Sequence, residues 1–213
     1  MGEVSNSSLK MKNRTAIWTL VVIDGVLLGI GLFGDSYVDI SFSEKSTVML
    51  LLASTAGPII AGFMNELISP SIKAMLVFWR LTDVLPGHRA FSEIVDSDPR
   101  IDVSNLRKRI KGFPDKPKKQ NQVWYSLYRK HEKDIRIEAV HQSFLLYRDC
   151  ASLTLLFGGI VTACSIFFEL EPWQILFLIF GFTLQYGLCV VVARNTGKRF
   201  VQSVLVAESL LKT

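Results

Sequence analysis

The stretch CASLTLLFGGIVTACSIFF, residues 150–168, contains no Asp, Glu, Lys, Arg or His, and after a four-residue gap the run WQILFLIFGFTLQYGLCVVVA, 173–193, repeats the pattern. Runs of this length rise about 27–31 Å as helix, enough to cross a hydrocarbon core of about 30 Å. Neither run shows a polar face at helical spacing, which separates them from buried helices of a soluble bundle. Two similar runs occur earlier: AIWTLVVIDGVLLGIGLFG, 16–34, interrupted only by Asp24, and TVMLLLASTAGPIIAGFM, 47–64. The expectation is an all-α integral membrane protein with four transmembrane helices in two hairpins and a helical cytosolic domain between them.

Composition agrees with segregated apolar runs. The 213 residues are 49% hydrophobic and 20% charged, with a formal net charge of +5 and a mean hydropathy of +0.32. The parts are then an N-terminal segment 1–15, hairpin 16–64, inner domain 65–149, hairpin 150–193 and C-terminal segment 194–213. The first run follows Lys10, Lys12 and Arg14 like the core of a secretion signal. It is too long, and lacks a small-x-small site before a polar start, so it is expected to remain attached as an anchor.

Lys and Arg distribute one-sidedly: three precede the first run, sixteen lie between the second and third, four follow the last, and the two short loops share only Lys45. The cytoplasm retains basic segments, so both termini and the central segment are expected inside, in a bacterial inner membrane. The short loops are acidic, with Asp35, Asp39 and Glu44 in one and Glu169 and Glu171 in the other. Cys150, Cys164 and Cys189 lie at or within the apolar runs and have no metal-ligand spacing, so they read as small packing residues.

The inner domain reads as mostly helical. PSIKAMLVFWRL, 70–81, extends the second run after a break near Pro70, and LPGH, 85–88, is a turn. Asp102 or Ser104 is placed to cap a short helix, and Pro117 suits the first turn of the next. In that next helix Val123, Trp124, Leu127 and Tyr128 make a narrow apolar stripe. From about Ile137 a helix leads without a breaker through Phe168.

No catalytic pattern emerges, and the chain is not expected to be an enzyme or to hold a metal or cofactor. Glu138 and His141 form one Glu-x-x-His pair, half of what a di-metal helix bundle needs. PGHRAF, 86–91, resembles the Pro-Ser-Gly-His block of membrane phosphatases but lacks its serine, and no phosphate loop, nucleophile elbow or zinc motif occurs.

Two sets of residues carry functional expectations. RKRIKGFPDKPKK, 107–119, holds seven cations in thirteen positions, too far from either flanking run to steer insertion. Arg107, Lys108, Arg109, Lys111, Lys116, Lys118 and Lys119, followed by Trp124, Tyr125 and Tyr128, suit an anionic nucleotide or single-stranded DNA oligomer if the rings are exposed, and a packed core if they are not. The second set is Asp24, Asn65, Glu66 and Gln185, polar groups at membrane depth or its margin and hence pore or gating candidates. Asp24 could line an oligomeric pore or serve a structural pairing. Gly25 with Gly29, Ala53 with Gly57 and Gly159 with Ala163 are small-xxx-small pairs, and Pro58 should kink the second helix.

In architecture and size, the four apolar runs and basic inner segment resemble the membrane effectors of bacterial anti-phage systems, foremost the channel component of the Hailong system and next the membrane subunit of the Kiwa system. The first resemblance implies a homo-oligomeric, tetrameric ion channel restrained by a cytosolic DNA oligomer from a partner nucleotidyltransferase. The second implies a membrane sensor with a DNA-binding effector partner. Ligand-gated channel and non-conducting sensor or scaffold are therefore the two readings carried forward.

Overall fold

The computed structural model describes residues 13–33, 62–167 and 169–211, and the described residues contain helices and no strand. The second apolar run, with Ala53, Gly57 and Pro58, lies outside them up to residue 61, as do the acidic first loop and Lys45. Helix α1 is Arg14–Phe33 and α2 is Pro70–Phe78. Two tight helical turns, Pro86–Arg89 and Val95–Ser97, flank a wider one, Ala90–Ile94. Helices α3 (Val103–Ile110), α4 (Pro117–His131), α5 (Ile135–Phe167) and α6 (Pro172–Ser209) complete the order.

Local chemistry sets these boundaries. Residues 62–67 are helical, and Ser69 then caps α2 by accepting from the Ile72 amide at 3.4 Å, with Pro70 in the first turn. Asp102 caps α3, its Oδ1 accepting from the Asn105 amide at 2.9 Å. Helix α3 ends at Lys111, whose φ of 59° is left-handed, and α4 begins at Pro117 as its sequence predicts. Glu171 and Gln174 form a reciprocal capping box at the start of α6.

Helices α5 and α6 form the spine and are each other's main partner. At 33 and 38 residues they are about 50 and 57 Å long, well beyond the roughly 30 Å a bilayer core requires. Both are long and apolar enough to cross a membrane. Their distal halves expose large apolar side chains, among them Ile166, Leu176, Phe180, Leu184 and Leu188. Their proximal halves are buried in a compact helical cap, where Ile137, Phe144, Leu145, Phe200, Val204 and Leu205 pack on Leu106, Trp124, Leu127 and Ile94. Residues 194–209 therefore share one core with the 86–145 region rather than forming a separate tail.

Helix α1 runs parallel to α5. Asn13 and Gln142 exchange hydrogen bonds of 2.9 and 3.0 Å, and eleven residues further on Asp24 reaches the level of Thr154. The start of α1 and the end of α6 thus lie on the cap's side. The close approach of α5 and α6 is at Gly158, where an added Cβ would sit 2.8 Å from the Phe182 Cβ; Gly159, one residue on, and Gly25 face open space within the chain. One residue is about 100° of helix rotation, so the contact face is adjacent to the one expected from Gly159 and Ala163.

Candidate functional site

The basic cluster lies on the outer face of the cap. Arg107, Lys108 and Arg109 occupy the last turn of α3, where cations complement the negative end of the helix dipole. Arg107, Lys108, Lys111, Lys116, Lys118 and Lys119 are exposed. An open depression runs between Val103, Ser104, Arg107, Lys108, Lys111 and Gly112. The Arg107 guanidinium lies 4.9 Å from the Phe113 ring centre, which holds its stem against the cap.

Arg109 is spent differently. Its Nε and Nη2 each donate at 3.2 Å to Oε1 of Glu208, which is 2% exposed, and Lys130 Nζ reaches the same oxygen at 3.4 Å. His131 Nε2 lies 2.8 Å from Glu208 Oε2. Burial alone would raise the Glu208 carboxyl, but His131, Lys130 and Arg109 together hold it below its ordinary value. The node ties α3 and α4 to the end of α6, so Arg109 is a structural cation and six of the seven remain on the surface.

The aromatic residues divide as well. Trp124 and Tyr128 are buried, with Trp124 edge-on to Phe200 at 5.2 Å and stacked on Tyr128 at 6.0 Å. Of the three rings considered as stacking platforms, only Tyr125 presents substantial surface. Gly87 completes the packing: an added Cβ would meet the Trp124 ring at 2.8 Å.

Asp24 and Gln185, separated by 161 residues, meet between the apolar helices. Gln185 Nε2 donates to Asp24 Oδ1 at 2.7 Å and to Thr154 Oγ1 at 3.2 Å, joining α1, α5 and α6. Asp24 is buried inside the chain, and among the described residues both Asp24 Oδ2 and Gln185 Oε1 are buried without a hydrogen-bond partner. Asp24 therefore sits in the seam between helices and not on the outer surface of the protomer.

Asn65 belongs to a second node that sequence reading missed. Lys73 Nζ donates to Asn65 Oδ1 at 2.6 Å and lies 3.4 Å from Asp149 Oδ1; Asn65 Nδ2 donates to Asp149 Oδ2 at 3.2 Å, and Arg148 Nη2 donates to Asp149 Oδ1 at 2.8 Å. All four side chains are buried at the junction of cap and apolar helices. Neighbouring Glu66 is exposed. The only prior sign was the charge of Lys73, Arg148 and Asp149 at the ends of apolar runs, where a buried ion needs a partner.

His141 stacks on Phe200 at 4.3 Å, 3° from parallel, and its Nδ1 is 3.1 Å from the Tyr128 hydroxyl. Burial, reinforced by Arg148, lowers its pKa to about 4, so it is neutral at physiological pH. Among the described residues no three His, Cys, Asp or Glu side chains gather as a metal site. No protein-family model matches this chain, and no curated protein or solved structure shows significant similarity to it.

Proposed function

We propose that the chain is the subunit of an oligomeric membrane channel or pore-forming effector, with four spans and both termini in the cytoplasm, gated or restrained by an anionic nucleotide or DNA oligomer on its basic cap. The observation that carries this reading is the continuity of α5 and α6, each an unbroken helix that is apolar and exposed at one end and part of the cap core at the other. A ligand that prefers one arrangement of the cap must then bias the arrangement of the apolar helices, because no flexible joint separates them. The six surface cations at 107–119 supply the ligand's electrostatic attraction. The Asp24 carboxylate, held by Gln185 between apolar helices, is the kind of intramembrane ionisable group that ion and water pathways use, which supports the reading. The architectural resemblance to anti-phage effectors supplies the setting, a bacterial inner membrane with a ligand-producing nucleotidyltransferase or other effector partner and a tetrameric assembly.

The Asp24–Gln185 hydrogen bond also favours a second reading, a non-conducting membrane sensor or scaffold that recruits a cytosolic DNA-binding effector, since a structural pair needs no pore. Ion flux from proteoliposomes separates the two. A channel leaks ions, and Asp24→Asn changes its selectivity or rate while the size-exclusion profile stays unchanged. A scaffold passes no ions in either form.

A further inference from the structure

A second basic site lies away from residues 107–119, where the cap meets the apolar helices. A cavity of about 380 Å³ is lined by Arg80, Arg89, Arg194 and Lys198, with Glu93 the one carboxylate among its walls. Arg89 Nε is 3.2 Å from Glu93 Oε2, yet Arg89 Nη1 is buried and, among the described residues, meets no acceptor. Burial and the neighbouring Arg80 hold the Arg89 guanidinium pKa below its ordinary value, with Glu93 partly opposing them. Among the described residues, neither Arg80 nor Lys198 forms an ion pair. The site thus concentrates positive charge around an orphaned donor, which calls for an anionic acceptor.

Its surroundings define the depth at which it sits. Arg194 directly follows the apolar run ending at Ala193, and Arg80 follows Phe78 and Trp79 at the end of α2. Trp79 is 66% exposed and Leu81 84% exposed beside the cavity. Trp79 has φ 52°, a left-handed conformation rarely adopted by a bulky residue, and three contacts hold it there. Its amide donates to the Met75 carbonyl at 2.8 Å, its Nε1 donates to the Tyr186 hydroxyl at 3.1 Å, and the Arg194 guanidinium lies 4.1 Å from its ring centre. Arg194 Nε and the Tyr186 hydroxyl in turn donate to the carbonyls of Val77 and Leu76, at 2.6 and 2.7 Å, capping the end of α2. The strained geometry thus keeps an amphipathic indole outside the protein, next to cations and at the end of an apolar helix segment. That pairing of interfacial aromatic and basic pocket suits a lipid headgroup region.

We infer that Arg80, Arg89, Arg194 and Lys198 form a binding site for the phosphodiester of an anionic phospholipid of the cap-side leaflet, with Trp79 and Leu81 contacting its glycerol and upper acyl chains. A free phosphate offers the same oxygens but nothing for Trp79 and Leu81 to cover. The occupant therefore combines an anion with apolar chains.

The test is native mass spectrometry of the full-length protein in detergent, titrated with phosphatidylglycerol or phosphatidylcholine of matched chains. The expected result is preferential retention of phosphatidylglycerol, falling about fivefold for each cation removed. Arg89→Ala reads the buried donor. Lys198→Glu reads the same site from an exposed position, so a folding defect in the first variant leaves the second decisive. Arg129→Ala with Arg136→Ala removes two exposed cations elsewhere and should leave retention unchanged. The inference is overturned if Lys198→Glu retains phosphatidylglycerol as the parent does, if phosphatidylcholine binds equally, or if millimolar inorganic phosphate displaces the lipid completely.

Discussion

Removing the Glu208 carboxylate should loosen the whole cap, because one buried side chain joins α3, α4 and α6. In Glu208→Ala, Lys130 loses little, since 59% of its side chain is already exposed and water can solvate it. Arg109 and His131, with side chains only 22% and 15% exposed, lose their partner in a poorly hydrated position. Charge-assisted hydrogen bonds contribute about 1.5–3 kcal/mol each, and partial solvation offsets some of that, giving a loss on the order of 3 kcal/mol. For a chain of this size the corresponding fall in Tm is roughly 6–12 °C. Thermal unfolding in detergent at pH 7, followed by Trp fluorescence, measures it directly, because Trp124 lies in the same core. Replacing Arg109 and Glu208 together by Met should restore part of the loss, since it removes the stranded guanidinium but leaves His131 without its partner. A Tm for Glu208→Ala within about 2 °C of the parent would refute the claim that this node fastens the cap.

Three further outcomes follow from the same packing. His141 has its pKa lowered from 6.5 to about 4 in the folded chain, so the unfolded chain binds the extra proton first as pH falls; its contribution to stability is complete above about 6.5 and is lost progressively down to about 4, on the order of 3 kcal/mol in all. His141→Phe, measured by Tm against pH, should flatten that part of the profile. Gly158→Val would drive a side chain into Phe182 across the α5–α6 contact and should cost about 1–3 kcal/mol, whereas Gly159→Val, facing open space, should change stability little when both are read by thermal unfolding in detergent. Lys111→Gly relieves a left-handed residue at the end of α3 and should raise stability by up to about 1 kcal/mol while removing one surface cation, so Tm and oligonucleotide affinity should move in opposite directions.

Much of the fold is legible locally. The Asp102 cap, the first-turn proline at 117, the turn at 85–88 and the unbroken passage from the inner segment into the third apolar run are all encoded within a few residues. The same i, i+1, i+4, i+5 spacing that marks Val123, Trp124, Leu127 and Tyr128 recurs at Phe200, Val201, Val204 and Leu205, and it places the C-terminal segment in the cap core. That signal lies within the C-terminal segment 194–213, which the end of the last apolar run sets apart.

The site was less legible because its parts are distant in the chain. Asp24 stands out alone as an ionisable group in an apolar run, yet nothing local identifies Gln185 as its partner. Arg109 is indistinguishable from Arg107 and Lys108 until Glu208 is brought against it, 99 residues away. Basic residues followed by aromatic ones suggest stacking on a ligand, but helical spacing turns Trp124 and Tyr128 inward and leaves Tyr125 outside. Asp149 likewise finds Lys73 and Asn65 only when α2 packs across α5.

The measurement that bears most directly on ligand-controlled conduction is planar-bilayer recording of the reconstituted protein with a single-stranded DNA oligomer titrated on the cap side at low and high salt. A ligand-gated channel passes a current that the oligomer changes at low salt, that high salt makes insensitive to it, and that Lys108→Glu with Lys111→Glu uncouples from the oligomer while current persists. An assembled protein that passes no current with or without the oligomer, or a current that the oligomer never alters at low salt, would contradict it.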